Sequence, residues 1–179
     1  MLIKTQRIGM VAAAAIVLFL TGCASPANRT AMTPQDFAVT KHHPYSVHVQ
    51  TLGGSQTGAM DSSNIADADL KAAIEEAIAK SQVFKSVVQG SDGNYDLTVR
   101  VVSLSKPVFG ATFTVEMESA WSMTKVSDRS VVLRKSVKST GKATMGDTLV
   151  GATRLRMAVE NAARESIAQG LKSIAELNL

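Results

Sequence analysis

The segment Ala111-Thr112-Phe113-Thr114-Val115-Glu116-Met117-Glu118-Ser119-Ala120-Trp121-Ser122-Met123-Thr124-Lys125-Val126 decides the fold. Phe113, Val115, Met117, Trp121 and Met123 fall on one side of a two-residue period, and Thr112, Thr114, Glu116, Glu118 and Ser122 fall on the other. That pattern predicts a strand with one dry and one wet face, in a sheet covered on one side only. Upstream, Tyr95–Leu104 sets Leu97, Val99 and Val101 against Asp96, Thr98 and Arg100. Downstream, Val131–Lys142 carries Val131, Leu133 and Val137 on its apolar face, interrupted by Lys135. The apolar positions are odd-numbered on both sides of Ser127-Asp128-Arg129-Ser130, so facing residues must have an even sum. The hairpin therefore needs a three- or five-residue connection, because a one-residue slip would turn the apolar set outward.

Further out, Tyr45, Val47 and Val49 alternate with Ser46, His48 and Gln50, which predicts a first strand. A Gly/Ser loop from Leu52 to Asn64 follows. Leu70, Ala73, Ile74, Ala77, Ile78 and Ser81 then recur at helical spacing, with Asp67 or Asn64 as the expected cap. Phe84–Val88 is too short to assign, and Gly90-Ser91-Asp92-Gly93-Asn94 is a turn. From about Thr148 to Leu177 runs a long helix bearing Leu155, Val159, Ala162, Ala163, Ile167, Gly170, Leu171, Ile174 and Leu177 on one stripe. The expected fold class is α+β: a two-layer sandwich, β-α-β-β-β-α, with a mainly antiparallel sheet and both helices on one face, forming a single domain over residues 45–179.

The N-terminus reads differently. Lys4 and Arg7 precede an apolar run from Ile8 to Leu20. At 1.5 Å per residue the run is about 20 Å long, too short for a hydrocarbon core of about 30 Å, so residues 1–22 read as a secretory signal. Leu20-Thr21-Gly22-Cys23 resembles the lipobox of bacterial lipoproteins. The resemblance implies diacylglycerol on the Cys23 thiol, cleavage before Cys23 and an N-acyl chain on its new amine. Acyl chains contribute about 0.8 kcal/mol per buried CH₂, so two or three of them hold a protein on a membrane without a spanning helix. Ala24 and Ser25 follow the cysteine, where lipoproteins without Asp are usually moved to the outer membrane; the implied location is its periplasmic face. Residues 23–44 then serve as a lipidated tether, with Pro26, Pro34 and polar filler, in which Phe37 and Val39 are the apolar side chains expected to dock.

Loss of Lys4 and Arg7 with the signal lowers the basic count from 19 to 17 against 15 acidic side chains, so the pI of 9.3 overstates the basicity of the mature chain. Residues 23–99 hold more acid than base and residues 100–179 the reverse, which polarises the field along the chain. The basic residues are not interleaved with aromatics as stacking on nucleic acid requires, so no nucleic-acid partner is expected. One cysteine excludes an intrachain disulfide.

His42, His43 and His48 are the only histidines. His43 precedes Pro44, His48 sits on the polar face of a strand, and no second ligand cluster lies nearby, so they read as solvated surface groups and no metal site is expected. Gly53-Gly54-Ser55-Gln56-Thr57-Gly58 sits where phosphate loops occur, but Ala59 and Met60 stand where the Lys and Ser/Thr are needed, leaving a flexible connection. Arg134, Lys135, Lys138 and Lys142 form a basic run on the last strand, either solvated edge protection or a candidate patch for an anionic ligand such as lipid headgroups or lipopolysaccharide. Glu116 and Glu118 face the cations of the neighbouring strand and read as cross-strand partners rather than an acid/base pair. Arg154 and Arg156 point to different helix faces and form no clamp. No catalytic constellation emerges, and no cofactor is expected beyond the covalent acyl groups of Cys23.

The lipobox, the short tether, the Gly-rich loop, the Ala-rich helix ending Ser81-Gln82-Val83-Phe84, the meander, and Ala162-Ala163-Arg164 with Ile167-Ala168-Gln169-Gly170-Leu171 resemble a group of small uncharacterised proteobacterial outer-membrane lipoproteins. Some of these carry the label of UDP-N-acetylglucosamine acyltransferase. That enzyme family is a left-handed β-helix of hexapeptide repeats with a catalytic His, and this chain has neither the repeats nor a His after His48. More distantly, the layout is similar to auxiliary lipoproteins of ABC-type lipid transporters. The resemblance implies a binding or accessory module in envelope transport or assembly, with an envelope protein or anionic lipid as partner. The alternatives are a structural interaction lipoprotein or an enzyme such as an acyltransferase.

Overall fold

The computed structural model describes residues 24–35, 37–58, 62–90 and 92–179. The expected signal and the lipobox, Leu20, Thr21, Gly22 and Cys23, lie outside the described residues, as do Ala59 and Met60. The elements are α1 (Arg29–Met32), β1 (His43–Leu52), α2 (Asp67–Ser81), β2 (Phe84–Val88), β3 (Tyr95–Ser105), β4 (Thr112–Lys125), β5 (Val131–Thr144) and α3 (Gly151–Ala175). The class is α+β, built on one five-stranded sheet in the order β2-β1-β3-β4-β5.

The antiparallel meander β3-β4-β5 lies where the alternation placed it. The addition is β2: the five residues left unassigned form an edge strand parallel to β1, and β1 is also parallel to β3, so the sheet is mixed. β2 pairs with the first half of β1 (His43–His48) and β3 with the second (Val47–Leu52). This stagger lets the short turn after β2 cross β1, and it is locked by Asn94, whose Oδ1 accepts the Ser46 N–H at 2.9 Å. The β1-α2-β2 unit is a parallel crossover, which puts α2 on the sheet face that α3 also covers.

Trp121 is buried, as the parity argument requires, and Trp121↔Lys135 and Ser119↔Val137 are facing pairs with the same even sum. Five residues, 126–130, connect β4 to β5. The turn itself is tighter: Lys125 N–H donates to Ser130 O at 2.9 Å, an odd-sum closure, and a register shift after Met123 restores the even sum along the strands. Arg129 takes φ 60° to make the reversal.

Small residues set the distance between the layers. A Cβ on Gly141 of β5 would lie 2.0 Å from Ala158 O and 2.2 Å from Ala162 N, so strand and helix backbones are in contact there. Ser139 Oγ donates to Ala162 O at 2.8 Å beside that contact. Further along α3, Gly170 makes room for the Trp121 indole, whose Nε1–H donates to Ser119 Oγ at 3.0 Å. The Ser119 and Ser166 hydroxyls share a hydrogen bond of 2.7 Å, which joins β4 to α3 through buried polar groups that are all partnered.

The expected caps of α2 are absent. Ala66 is the N-cap residue and has no side-chain cap bond. Asp67 and Asp69 instead stabilise the first turn by their charge. At the other end Gln82 adopts the left-handed conformation that closes the helix, with φ 54°.

The stretch expected to be a free tether is docked from Ala27 onward. Ala27 and Met32 belong to the core, in addition to the partly buried Phe37 and Val39. Asn28 caps α1, with its Oδ1 accepting the Thr30 N–H at 2.9 Å. The segment carries few apolar residues, but they are buried because α2 and α3 leave a groove between them that this strip fills.

Candidate functional site

The uncovered face of the sheet is polar. Thr112, Thr114, Glu116, Glu118 and Ser122 of β4 face it beside Arg134, Ser136, Lys138, Thr140 and Lys142 of β5. Ser103, Ser105, Glu116, Glu118, Lys138 and Thr140 line a shallow depression of about 290 Å³ on this face.

The basic run divides between two faces. Arg134, Lys138 and Lys142 are exposed on the open face, and no ion pair among the described residues includes them. Lys135 belongs to the covered side, where its Nζ donates to Ser173 Oγ of α3 at 2.7 Å. The candidate patch therefore loses Lys135, because odd positions of β5 face the helices. Glu118 stands in register with Lys138, but its Oε1 accepts the Ser136 hydroxyl at 2.7 Å instead of an ammonium. At about 3.4 Å per residue the spacing from Arg134 to Lys138 to Lys142 is roughly 14 Å per step, too wide for all three to converge on one small anion.

The histidines separate as well. His43, expected at the surface, is buried: its Nε2–H donates to Ile174 O at 3.0 Å, and its ring tilts against Phe84 with centroids 5.6 Å apart. The β1–β2 pairing draws it inward, since His43 faces Phe84 in register. His42 donates from Nδ1 to Gln82 O at 2.8 Å. His48 stands on the open face with Nδ1 3.2 Å from Asp96 Oδ1. These rings serve three separate contacts, and no group of three metal-ligating side chains occurs among the described residues.

The glycine loop, expected to be a flexible connection, is packed at Gly53-Gly54. A Cβ on Gly53, which has φ 81°, would meet Val101 O at 2.4 Å, and one on Gly54 would meet Ile65 O at 2.5 Å. Gly54 N–H donates to Asp67 Oδ1 at 2.8 Å, so a carboxylate of the chain takes the place that a phosphate holds in a phosphate loop.

Arg154 is buried and joins two loops: its guanidinium donates to Thr148 O at 2.9 Å and to Gly110 O at 3.1 Å, and it stacks over Phe113 at 4.8 Å. Arg156 lies 3.7 Å from Glu160. Glu160 is buried in the groove under the N-terminal strip, and its Oε1 accepts the Asn28 N–H at 2.9 Å. Burial pushes its carboxyl above the ordinary carboxylate range, opposed by that N–H and by Arg156 and Arg164. Sequence reading did not single out Glu160 and set Arg154 aside as forming no clamp, because charged residues on a helix are usually solvated; only the docked strip and the loop carbonyls make them interior.

No family model matches the chain, and no curated protein matches it in sequence. Solved structures do match in fold. A Xanthomonas campestris protein of the DUF330 family model superposes with a TM-score of 0.60 at 11% identity, over 80% of this chain and 93% of that one. The PelC dodecamer of Paraburkholderia phytofirmans gives a TM-score of 0.50 at 12% identity, over 79% and 93%. Uncharacterised lipoprotein B of Nitrosomonas europaea gives 0.46 at 10% identity, over 79% and 88%, an overlap that supports no inference. At these identities the likeness is one of fold: this arrangement of sheet and helices occurs in the Xanthomonas and Paraburkholderia proteins.

Proposed function

We propose that this is a lipoprotein of the bacterial cell envelope, anchored through Cys23 to the periplasmic face of the outer membrane, that works by binding, as an accessory to envelope transport or assembly. The observation that carries the binding role is the uncovered sheet face with Arg134, Lys138 and Lys142 in one row. Their spacing suits an extended acidic partner, an envelope protein segment or a run of anionic lipid headgroups, rather than one small anion. The lipobox supports the anchor. Docking of Ala27, four residues after Cys23, supports a body held close to its membrane rather than on a long leash.

The anchor is tested by Cys23→Ser in cells fed labelled palmitate: unprocessed precursor without label is expected, and label on the variant overturns it. The binding face is tested by crosslinking in living cells from a photoreactive residue at Thr140. Arg134→Glu/Lys138→Glu/Lys142→Glu in the full-length protein is expected to abolish the crosslinked species, and adducts that persist unchanged overturn the assignment of this face. Adducts that map to a second copy of the chain indicate a structural self-association module instead.

A further inference from the structure

Most of the large exposed apolar side chains are gathered at one end of the molecule, and Val131, at the start of β5, is exposed at the other. Val108 is 92% exposed and Phe109 87% in the β3–β4 loop; Met145, Leu149 and Val150 are exposed in the β5–α3 loop, and Val102 at the adjacent end of β3. The two loops are neighbours by topology, since Thr112 faces Thr144 at the ends of β4 and β5. They are also held together, because Arg154 binds Gly110 O in one and Thr148 O in the other. The apolar tips therefore sit on a braced platform.

The N-terminal strip leads to the same end. Ala27 N–H donates to Asn64 O at 3.1 Å, and the Oδ1 of the same Asn64 accepts from Lys106 Nζ at 2.6 Å, two residues before Val108. From there the strip descends: Arg164 Nε donates to Ala31 O, and Lys41 Nζ reaches Leu177 O at the far end of α3. The chain upstream of Ala27 thus leaves toward the apolar tips. Cys23 is four residues away, a span of at most about 14 Å.

We propose that the loops carrying Val108, Phe109, Leu149 and Val150 form a second, non-covalent membrane contact, entering the interface of the same leaflet that holds the acyl chains of Cys23. The occupant is a lipid surface because the anchor and the tips emerge together: acyl chains that insert bring exposed Phe, Leu and Val side chains to the bilayer, where apolar groups bury about 5–10 Å into the headgroup–acyl boundary. Three points of attachment fix the orientation of the body, with the strands upright on the membrane and the open sheet face turned sideways, which leaves that face to an envelope protein segment rather than to the headgroups of the same leaflet. The inference rests on the acylation of Cys23.

The test uses the full-length acylated protein carrying Phe109→Trp, in vesicles of phosphatidylethanolamine and phosphatidylglycerol with and without bromine-labelled acyl chains. Trp121 is enclosed by the core and serves as the unquenched reference in the parent protein. The expected result is blue-shifted emission from the added Trp and loss of most of it to the brominated lipid, with the parent unchanged. Water-exposed, unquenched emission from protein whose acylated Cys23 is verified by mass spectrometry overturns the inference and leaves the anchor intact. Emission shielded from water but not quenched by bromine, with crosslinked dimers, assigns the tips to a second copy and also overturns it. Failure to find acyl groups on Cys23 overturns the anchor and this inference with it.

Discussion

Replacing Gly170 by alanine tests the packing that holds the sheet and α3 together. On helix propensity alone the change is favourable by about 1 kcal/mol. The structure reverses the sign. The added Cβ would lie 2.4 Å from Cε2 and Cζ2 of Trp121, against an ordinary contact of 3.4 Å or more, so ring or helix must retreat by about 1.0 Å. The ring has nowhere to go: Trp121 is buried, and its Nε1–H is committed to Ser119, which is bonded to Ser166 on the helix itself. Overpacking costs about 1–3 kcal/mol and a broken buried hydrogen bond about 1 kcal/mol, so after subtracting the propensity gain the net loss is about 1–3 kcal/mol. For a chain of this size that lowers Tm by roughly 2–4 °C per kcal/mol. The assay is urea and thermal unfolding followed by far-UV circular dichroism, with Gly151→Ala as control because its added methyl meets open space. Gly151→Ala should be neutral or stabilising, and Gly170→Ala should regain stability in a Trp121→Leu background, with a coupling of about 0.5–3 kcal/mol. Stability of Gly170→Ala equal to or above the parent would refute the reasoning.

The remaining predictions use the same assays. His43→Ala should cost about 2–4 kcal/mol, through a cavity beside Phe84 and the loss of the buried hydrogen bond to Ile174 O, which keeps its bond from the Leu177 N–H, while the joint change of His42 and His48 to Ala leaves cellular function intact; a stable His43→Ala protein would contradict its burial. Glu160→Ala should release the N-terminal strip, seen as proteolysis before Pro34, whereas Glu160→Gln keeps an acceptor for Asn28 and should not. Because burial raises the Glu160 pKa, the folded state takes up its proton first, so the ionised group costs stability at neutral pH, and the advantage of Glu160→Gln should shrink as pH falls through that raised value. Glu76 has the opposite sign: Lys80 and Arg29 hold its pKa below 4.5, so its contribution is present at neutral pH and is lost as pH falls below 4.5 through the lowered value, which pH-dependent melts of Glu76→Gln should show. Gln82→Gly should stabilise by about 1 kcal/mol, since the left-handed C-cap is strained for a side chain; no gain in urea midpoint would refute the assignment of that strain.

Sequence alone determined what local chemistry dictates. The period-two alternation from Thr112 to Met123 fixed which side chains face the core, because a strand has only two faces and the parity of Trp121 settles all the rest. The helical stripes of α2 and α3 and the α+β class followed in the same way. Tertiary structure decided the features that depend on partners distant in the chain. Phe84–Val88 is five residues with no length to declare itself, and it became a strand only because β1 offered an open edge beside it. His43 belongs by composition to a surface, yet pairing with Phe84 drew it inward, and the parity of β5 turned Lys135, still exposed, to the helix side, where it reaches Ser173 of α3. Residues 27–33 have a linker's composition, and they dock because two helices leave a groove of the right width, with Glu160 ready to accept their backbone N–H. The gathering of Val108, Phe109, Leu149 and Val150 beside the exit of the N-terminal strip was equally hidden, since a loop's exposure is set by where its strands end, and no periodicity records that.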